Sequence, residues 1–386
     1  MNKAQVTRRE FVGAAVALPF ALRGMCAAQS TSAPRWVLLG TDTGKGIYRA
    51  AWNAATGTLG PVQLAVEAAR PDFFARHPTL PVVYSVNSVS GAGAGVSSFR
   101  LDPRGGLTLM NEVGSQGDGP CFVSTDATGE MAFVANYAGG SFAAFRLTNV
   151  GALAQAIGVF KYNQAQHGPV AGRQEAAHIH CATVAPGNRF VIACDLGDDV
   201  LLVFPIGPGL GDYVRVPQRV AARAGSGPRH VAFHPNGSWV YCIHELDNTI
   251  DLYDWRMERG TPAMRMREGS VVSTLAKGSS GAGSTACEIV VSDDGRFVYA
   301  CTRGEGSIAV YRVDANTGLL SEHQRLSCGG TTPRYIAFDP SRRWLLCCNQ
   351  ESPGSVTVFA HDAATGRLSA RPRTFAAPTP MFALWV

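Results

Sequence analysis

Six times along this chain a proline or aspartate opens a short turn, a β-rich run follows, and an equivalent position falls ten residues after the opener. The sets are Pro78 to Ser88, Asp126 to Asn136, Pro186 to Leu196, Pro235 to Glu245, Asp293 to Arg303 and Pro340 to Gln350. Successive openers lie 48, 60, 49, 58 and 47 residues apart, the period of a four-stranded propeller blade and not of a helical solenoid. A chain of 386 residues would by length alone suggest two or three domains. The repeat overrides that expectation, because blades stack into one body.

The grammar of a unit is clearest from Glu288 onward. An apolar strand enters the Asp293-Asp294-Gly295 turn, a second strand leaves it, and after Gly304-Glu305-Gly306 a third alternates through Ile308, Val310 and Tyr311. Period-2 runs punctuated by Gly, Asp and Pro are hairpin meanders. Both chain ends hold unmatched pieces. Trp36 to Thr41 reads as a second strand and Ile47 to Trp52 as a third, with no first strand before them; Met381 to Val386 supplies the missing one. The expectation is an all-β, seven-bladed β-propeller of four-stranded blades, its ring closed by N- and C-terminal strands in one blade, which leaves no open sheet edges.

The formal charge is +5, but Lys3, Arg8, Arg9 and Arg23 against Glu10 account for +3 of it. The remainder implies no nucleic-acid surface. Thr7-Arg8-Arg9-Glu10-Phe11-Val12 followed by apolar Val12 to Leu22 reads as a twin-arginine export signal, too short to span a bilayer. Residues 1–28 are therefore expected to be a cleaved signal peptide handled by the twin-arginine export machinery, and residues 29–386 one propeller domain. The mature protein is expected to be periplasmic, without stable membrane association. Cys194, Cys242, Cys301, Cys347 and Cys348 fall in the same strand of their repeats, where free thiols pack as small hydrophobes. No Cys-x-x-Cys pair points to a metal or redox site, and no cofactor is expected.

The two long gaps hold insertions at 161–178 and 269–286, each preceding a first strand and so expected over one rim of the central cavity. Asp72, Pro120, His180, Arg229, Cys287 and Arg334 share the position six before the opener, where first strands begin. Asn136, Glu245, Arg303 and Gln350 share the position ten after it, where antiparallel second strands end. Both sets converge on one mouth. His178 and His180 form a His-x-His pair without an evident third ligand, and His230 adjoins Arg229.

Gly227-Pro228-Arg229-His230, Phe233-His234-Pro235-Asn236, Glu245-Leu246-Asp247-Asn248-Thr249 and Asp294 to Tyr299 with Arg303 resemble the seven-bladed propeller lactonase family. That family includes the propeller-type bacterial 6-phosphogluconolactonases, and a fungal carboxymuconate-cyclising enzyme shares its fold. The resemblance spans about residue 36 to 386. It implies His180, Glu245 and Arg229 as catalytic residues and a lactone or sugar-acid substrate, with Arg303, Arg334, Asn136, Gln350, His178 and His230 as substrate-binding candidates. Gly283-Ser284-Thr285-Ala286 stands where the sugar-phosphate lactonases carry an arginine, which would weaken phosphate recognition. Lactone opening needs a nucleophilic water and a stabilised oxyanion. Glu245 or His180 could take the proton, and Arg229 with Arg303 or Arg334 could face the oxyanion. A non-catalytic binding propeller and a lactone-forming cycloisomerase are the alternatives.

Overall fold

The computed structural model describes residues 36–161, 167–206 and 217–386; the signal-peptide segment lies outside them. Seven antiparallel sheets form, each running inner to outer in chain order save one. The exception takes its inner strand, Pro380–Trp385, from the C-terminus, and this pairs with Trp36–Thr41 through Val37↔Trp385, Leu39↔Ala383 and Gly40↔Phe382. Each inner strand touches the next around a complete cycle that closes from Pro380–Trp385 onto Phe74–Arg76. The expected seven blades and shared closing blade are therefore present. The one helical element among the described residues is the 3-10 turn Gly91–Gly93.

The second strands Val82–Asn87, Met131–Asn136, Phe190–Asp195 and Trp239–His244 are buried along their whole length. Each lies between two strands of its own sheet and between neighbouring blades, so both faces are apolar. Their thiols follow the same logic: the nine described cysteines are all free and buried. Neighbouring blades are also tied by a recurrent hydrogen bond. Tyr84, Tyr241 and Tyr299, each six after its opener, donate to the carbonyls of Gly151, Gly318 and Gly366 in the following blade. The buried hydroxyl is satisfied, and the outer turn of one blade is fixed to the second strand of the previous one.

The turn after the first strand shows why the repeat is so regular. The side chain just before the opener accepts backbone N–H groups: His77 Nδ1 from Leu80, Asp339 Oδ1 from Trp344, and Ser292 Oγ from Phe297. Asp126 does the same, taking the N–H groups of Glu130 and Met131 at 2.8 and 2.9 Å. Asp126 is thus the residue before the opener, and the opener of that blade is Ala127. The sequence count was one residue short there, and a one-residue slip reverses which face a strand residue occupies.

Candidate functional site

Close to its start, the inner strand of six of the seven blades carries a bulge that the ladder skips. Ile179 pairs Asp195 while Cys181 pairs Cys194, leaving His180 between them. Arg229 lies likewise between Pro228 and His230, and Arg334 between Pro333 and Tyr335. The same shift leaves out Cys121, Met381 and the Cys287 step. Asp72 precedes Phe74–Arg76 at the matching position of the remaining blade. A β-bulge turns its extra residue out of the pleat. Six such bulges, with Asp72 at the matching position of the seventh blade, produce an axial ring of Asp72, Cys121, His180, Arg229, Cys287, Arg334 and Met381.

This ring separates two spaces. Above it opens a mouth of about 410 Å³ whose walls include Asp72, Tyr137, Arg173, His180, Glu245, Arg303, Arg334 and Gln350. Below it is a chamber of about 10 Å³ bounded by Phe73, Arg229, His230, Glu288 and Tyr335, room for about one water. Asp72, Cys121, His180, Arg334 and Met381 border both spaces.

Glu245 is the electrostatic centre. Its Oε2 accepts from Arg229 Nε at 3.0 Å and lies 3.0 Å from Arg303 Nη2, while Oε1 accepts from Arg173 Nη2 at 2.5 Å. Burial alone would raise its carboxyl, but Arg303, Arg229, His180 and Arg173 together hold it well below the usual carboxylate range. Glu245 is therefore a fixed anion. His180 Nε2 stands 3.8 Å from Glu245 Oε2. Burial, Arg229 and His230 push this imidazole well below its ordinary value, so it is neutral. Arg229, 2% exposed, lies beneath the mouth and bonds Glu245 and the carbonyl of Cys287. Arg303 Nε has no hydrogen-bond partner among the described residues, and neither has the side chain of Arg334.

His230 pairs with Glu288, its Nδ1 lying 3.0 and 3.1 Å from the two carboxylate oxygens, and its Nε2 is 3.3 Å from Arg229 Nη1. It floors the site and bounds the inner chamber. Gln350 Nε2 donates to Asp42 Oδ2 at 2.9 Å on the wall where Asp42 also pairs with Arg70.

Four of the expected residues do not line the mouth: Arg229 and His230 lie beneath it around the inner chamber, and Asn136 and His178 border neither space. Asn136 is fully buried and donates to the Ser115 carbonyl and Ser141 Oγ. It pairs with Pro120 as His244 pairs with Pro228 and Asn349 with Pro333, the residue before the mouth position in each blade. The residue it displaces is Tyr137, and Cys121 likewise replaces Pro120. His178 stands one layer behind: it stacks on Tyr137 with ring centroids 4.5 Å apart, and its Nδ1 lies 3.0 Å from the Tyr137 carbonyl. The bulge at His180 breaks the strand alternation that would have put both histidines on one side. Among the described residues no cluster of His, Cys, Asp or Glu suits a metal ion.

Among the described residues of the first insertion Arg173 is the one on the wall, and it also donates to Tyr137 Oη at 3.4 Å. The second insertion contributes no wall residue; it packs on the adjacent hairpins, with Ala276 N–H donating to Glu305 and Ser284 accepting from Asn248. Its lack of an arginine leaves the mouth cationic, since Arg173, Arg303, Arg334 and Arg70 come from elsewhere. Met381 has no turn opener after it from which the ring spacing could be counted. Arg173 carries no repeat signal at all.

The family "Lactonase, 7-bladed beta-propeller" matches residues 36–385. The chain belongs to that family. The 6-phosphogluconolactonase of Bacillus subtilis (strain 168) is 32% identical over 345 residues, covering 87% of this chain and 93% of that protein. A 6-phosphogluconolactonase of Formosa agariphila is 27% identical, covering 86% and 92%. The solved structure of the Pseudomonas aeruginosa periplasmic gluconolactonase superposes with a TM-score of 0.82 at 27% identity, over 91% of this chain and 98% of its own.

Proposed function

We propose that the protein is a lactone hydrolase acting on a sugar-acid or related carboxylated lactone at the axial mouth. The observation that carries this reading is the Glu245 centre. A buried carboxylate fixed by three arginines, beside a neutral imidazole and two cations with free donors, is an arrangement suited to a carbonyl that gains negative charge. Arg303 and Arg334 are the groups that meet the oxyanion. Arg229 holds Glu245 from below, and Glu245 in turn orients Arg303, Arg173 and the His180 ring. His180 offers hydrogen bonds to the attacking water. Glu245 is a poor proton acceptor in this setting, because its conjugate acid would forfeit three ion pairs. Names of the relatives support the same reaction class.

The four arginines of the walls suit a substrate with a carboxylate or phosphate group. The twin-arginine pattern at Arg8-Arg9, with the periplasmic location in the name of the Pseudomonas neighbour, supports export of the mature protein. The test is acid release by the purified mature protein from glucono-1,5-lactone, its 6-phosphate and a muconolactone, above spontaneous hydrolysis. Turnover of at least one lactone that collapses in Glu245→Gln and His180→Ala is the expected result. Full activity in both variants would discard the site assignment, and no turnover on any lactone would discard the hydrolase.

A further inference from the structure

The mouth lacks an assigned group that takes and returns a proton. Both oxygens of Glu245 are held by arginines, at 2.5 and 3.0 Å. A protonated His180 is disfavoured by burial and by Arg229 and Arg334. Glu288 is committed to His230. One carboxyl remains on the wall, that of Asp72.

Asp72 occupies the axial ring and borders both the open mouth and the inner chamber. It is 6% exposed, and its Oδ1 is buried with no hydrogen-bond partner among the described residues, while Ser88 bonds the same carboxyl. An unpartnered buried carboxylate oxygen is costly unless something else meets it. The chamber that Asp72 borders has room for about one water, which would meet that need.

We propose that Asp72 is the general base, and then the general acid, of lactone opening; the role rests on the hydrolase reading above. Oδ1 takes a proton from the water as the water oxygen bonds to the carbonyl carbon. The carbonyl electron pair moves to its oxygen, whose negative charge faces Arg303 and Arg334. The intermediate collapses, the bond from carbon to ring oxygen breaks with its electron pair on oxygen, and Asp72 returns the proton to that oxygen. The other water hydrogen stays on the new carboxyl and is lost to solvent, leaving a hydroxycarboxylate.

Two carboxyls in one cavity held in opposite states are the usual mark of divided acid and base duties. Burial raises the Asp72 carboxyl to about 6, against the opposing pull of Arg334, Ser88 and Arg70. The other charged or titratable groups facing it are Asp42 on the rim, Cys121 beside it, and His180, Arg229, His230 and Glu288 around the chamber. A shuttle works best when its proton affinity lies near the working pH.

The test is the pH dependence of kcat/KM on a lactone that the wild type opens, corrected for spontaneous hydrolysis, in wild type, Asp72→Asn and Asp72→Glu. Wild-type kcat/KM is expected to fall about tenfold per pH unit below about pH 6. Asp72→Asn should lose about 10²- to 10⁴-fold at pH 7 and the acidic limb with it, and Asp72→Glu should regain part of both. A folded Asp72→Asn that keeps wild-type kcat/KM and the same limb overturns the role. Should that variant not fold, a wild-type profile that is flat from pH 4.5 to 8 overturns it equally. A wild type inactive on every lactone is a different result, and it removes the hydrolase reading itself.

Discussion

Glu245 and Asp72 show how one cavity wall gives two acids opposite characters. Glu245 is stabilised as an anion, so its folded-state proton affinity is depressed. Its contribution to stability is present above its ordinary value of 4.5 and is lost as pH falls below that. Glu245→Gln leaves Arg229 buried without its counter-ion, and the expected cost at pH 7 is about 3–5 kcal/mol. Denaturant unfolding at pH 7 and pH 3.5 checks this; equal losses at the two pH values would show that the ion pairs are not responsible. Asp72 has the opposite sign. Its folded-state value of about 6 exceeds the ordinary 3.8, so the ionised form costs stability as pH rises through that interval and fully above it. Asp72→Asn should therefore stabilise the fold at pH 8, by on the order of 2 kcal/mol, and not at pH 3.5. A gain in stability coupled to a loss of turnover is the expected signature of a group held under strain for function.

The bulged inner strand is the element that turns a repeat into a site, and it explains what the sequence disclosed. Openers and strand ends are periodic, so His180, Arg229, Glu245, Arg303 and Arg334 were found by counting. The count failed at Asp126, because an aspartate capping a turn resembles one that opens it, and the slip named Asn136 where Tyr137 stands. Met381 escaped because no turn follows the last strand to count back from. Arg173 lies on an insertion, outside any period, and only packing places it. That packing is tight: a Cβ on Gly197 would lie 1.7 Å from the Ala176 carbonyl, and Gly168 N–H donates to the Gly197 carbonyl at 2.8 Å. Gly197→Ala must push residues 174–178 outward and carry Arg173 away from Glu245. The expected result is a rise in KM of about tenfold or more with the propeller intact, read from steady-state kinetics beside circular dichroism. An unchanged KM would show that Arg173 does not shape the mouth.

At the scale of the molecule, the C-terminal strand holds the ring shut. Phe382 packs against Phe73 and Tyr335 with ring centroids 4.1 Å from each, and Pro380, Met381, Phe382 and Ala383 are buried. Each such side chain contributes roughly 1.5–3 kcal/mol on burial. Deleting residues 380–386 removes several at once and exposes the edge of Trp36–Thr41, against a total stability typically of about 5–15 kcal/mol. The truncated chain should elute as aggregate and lose its cooperative thermal transition. A monomer that melts at the full-length temperature would refute the role assigned to closure. Because Met381 is also part of the axial ring, the strand Pro380–Trp385 completes both the barrier against edge-to-edge association and one wall of the mouth. A substitution that loosens this one strand is thus expected to cost solubility and turnover together.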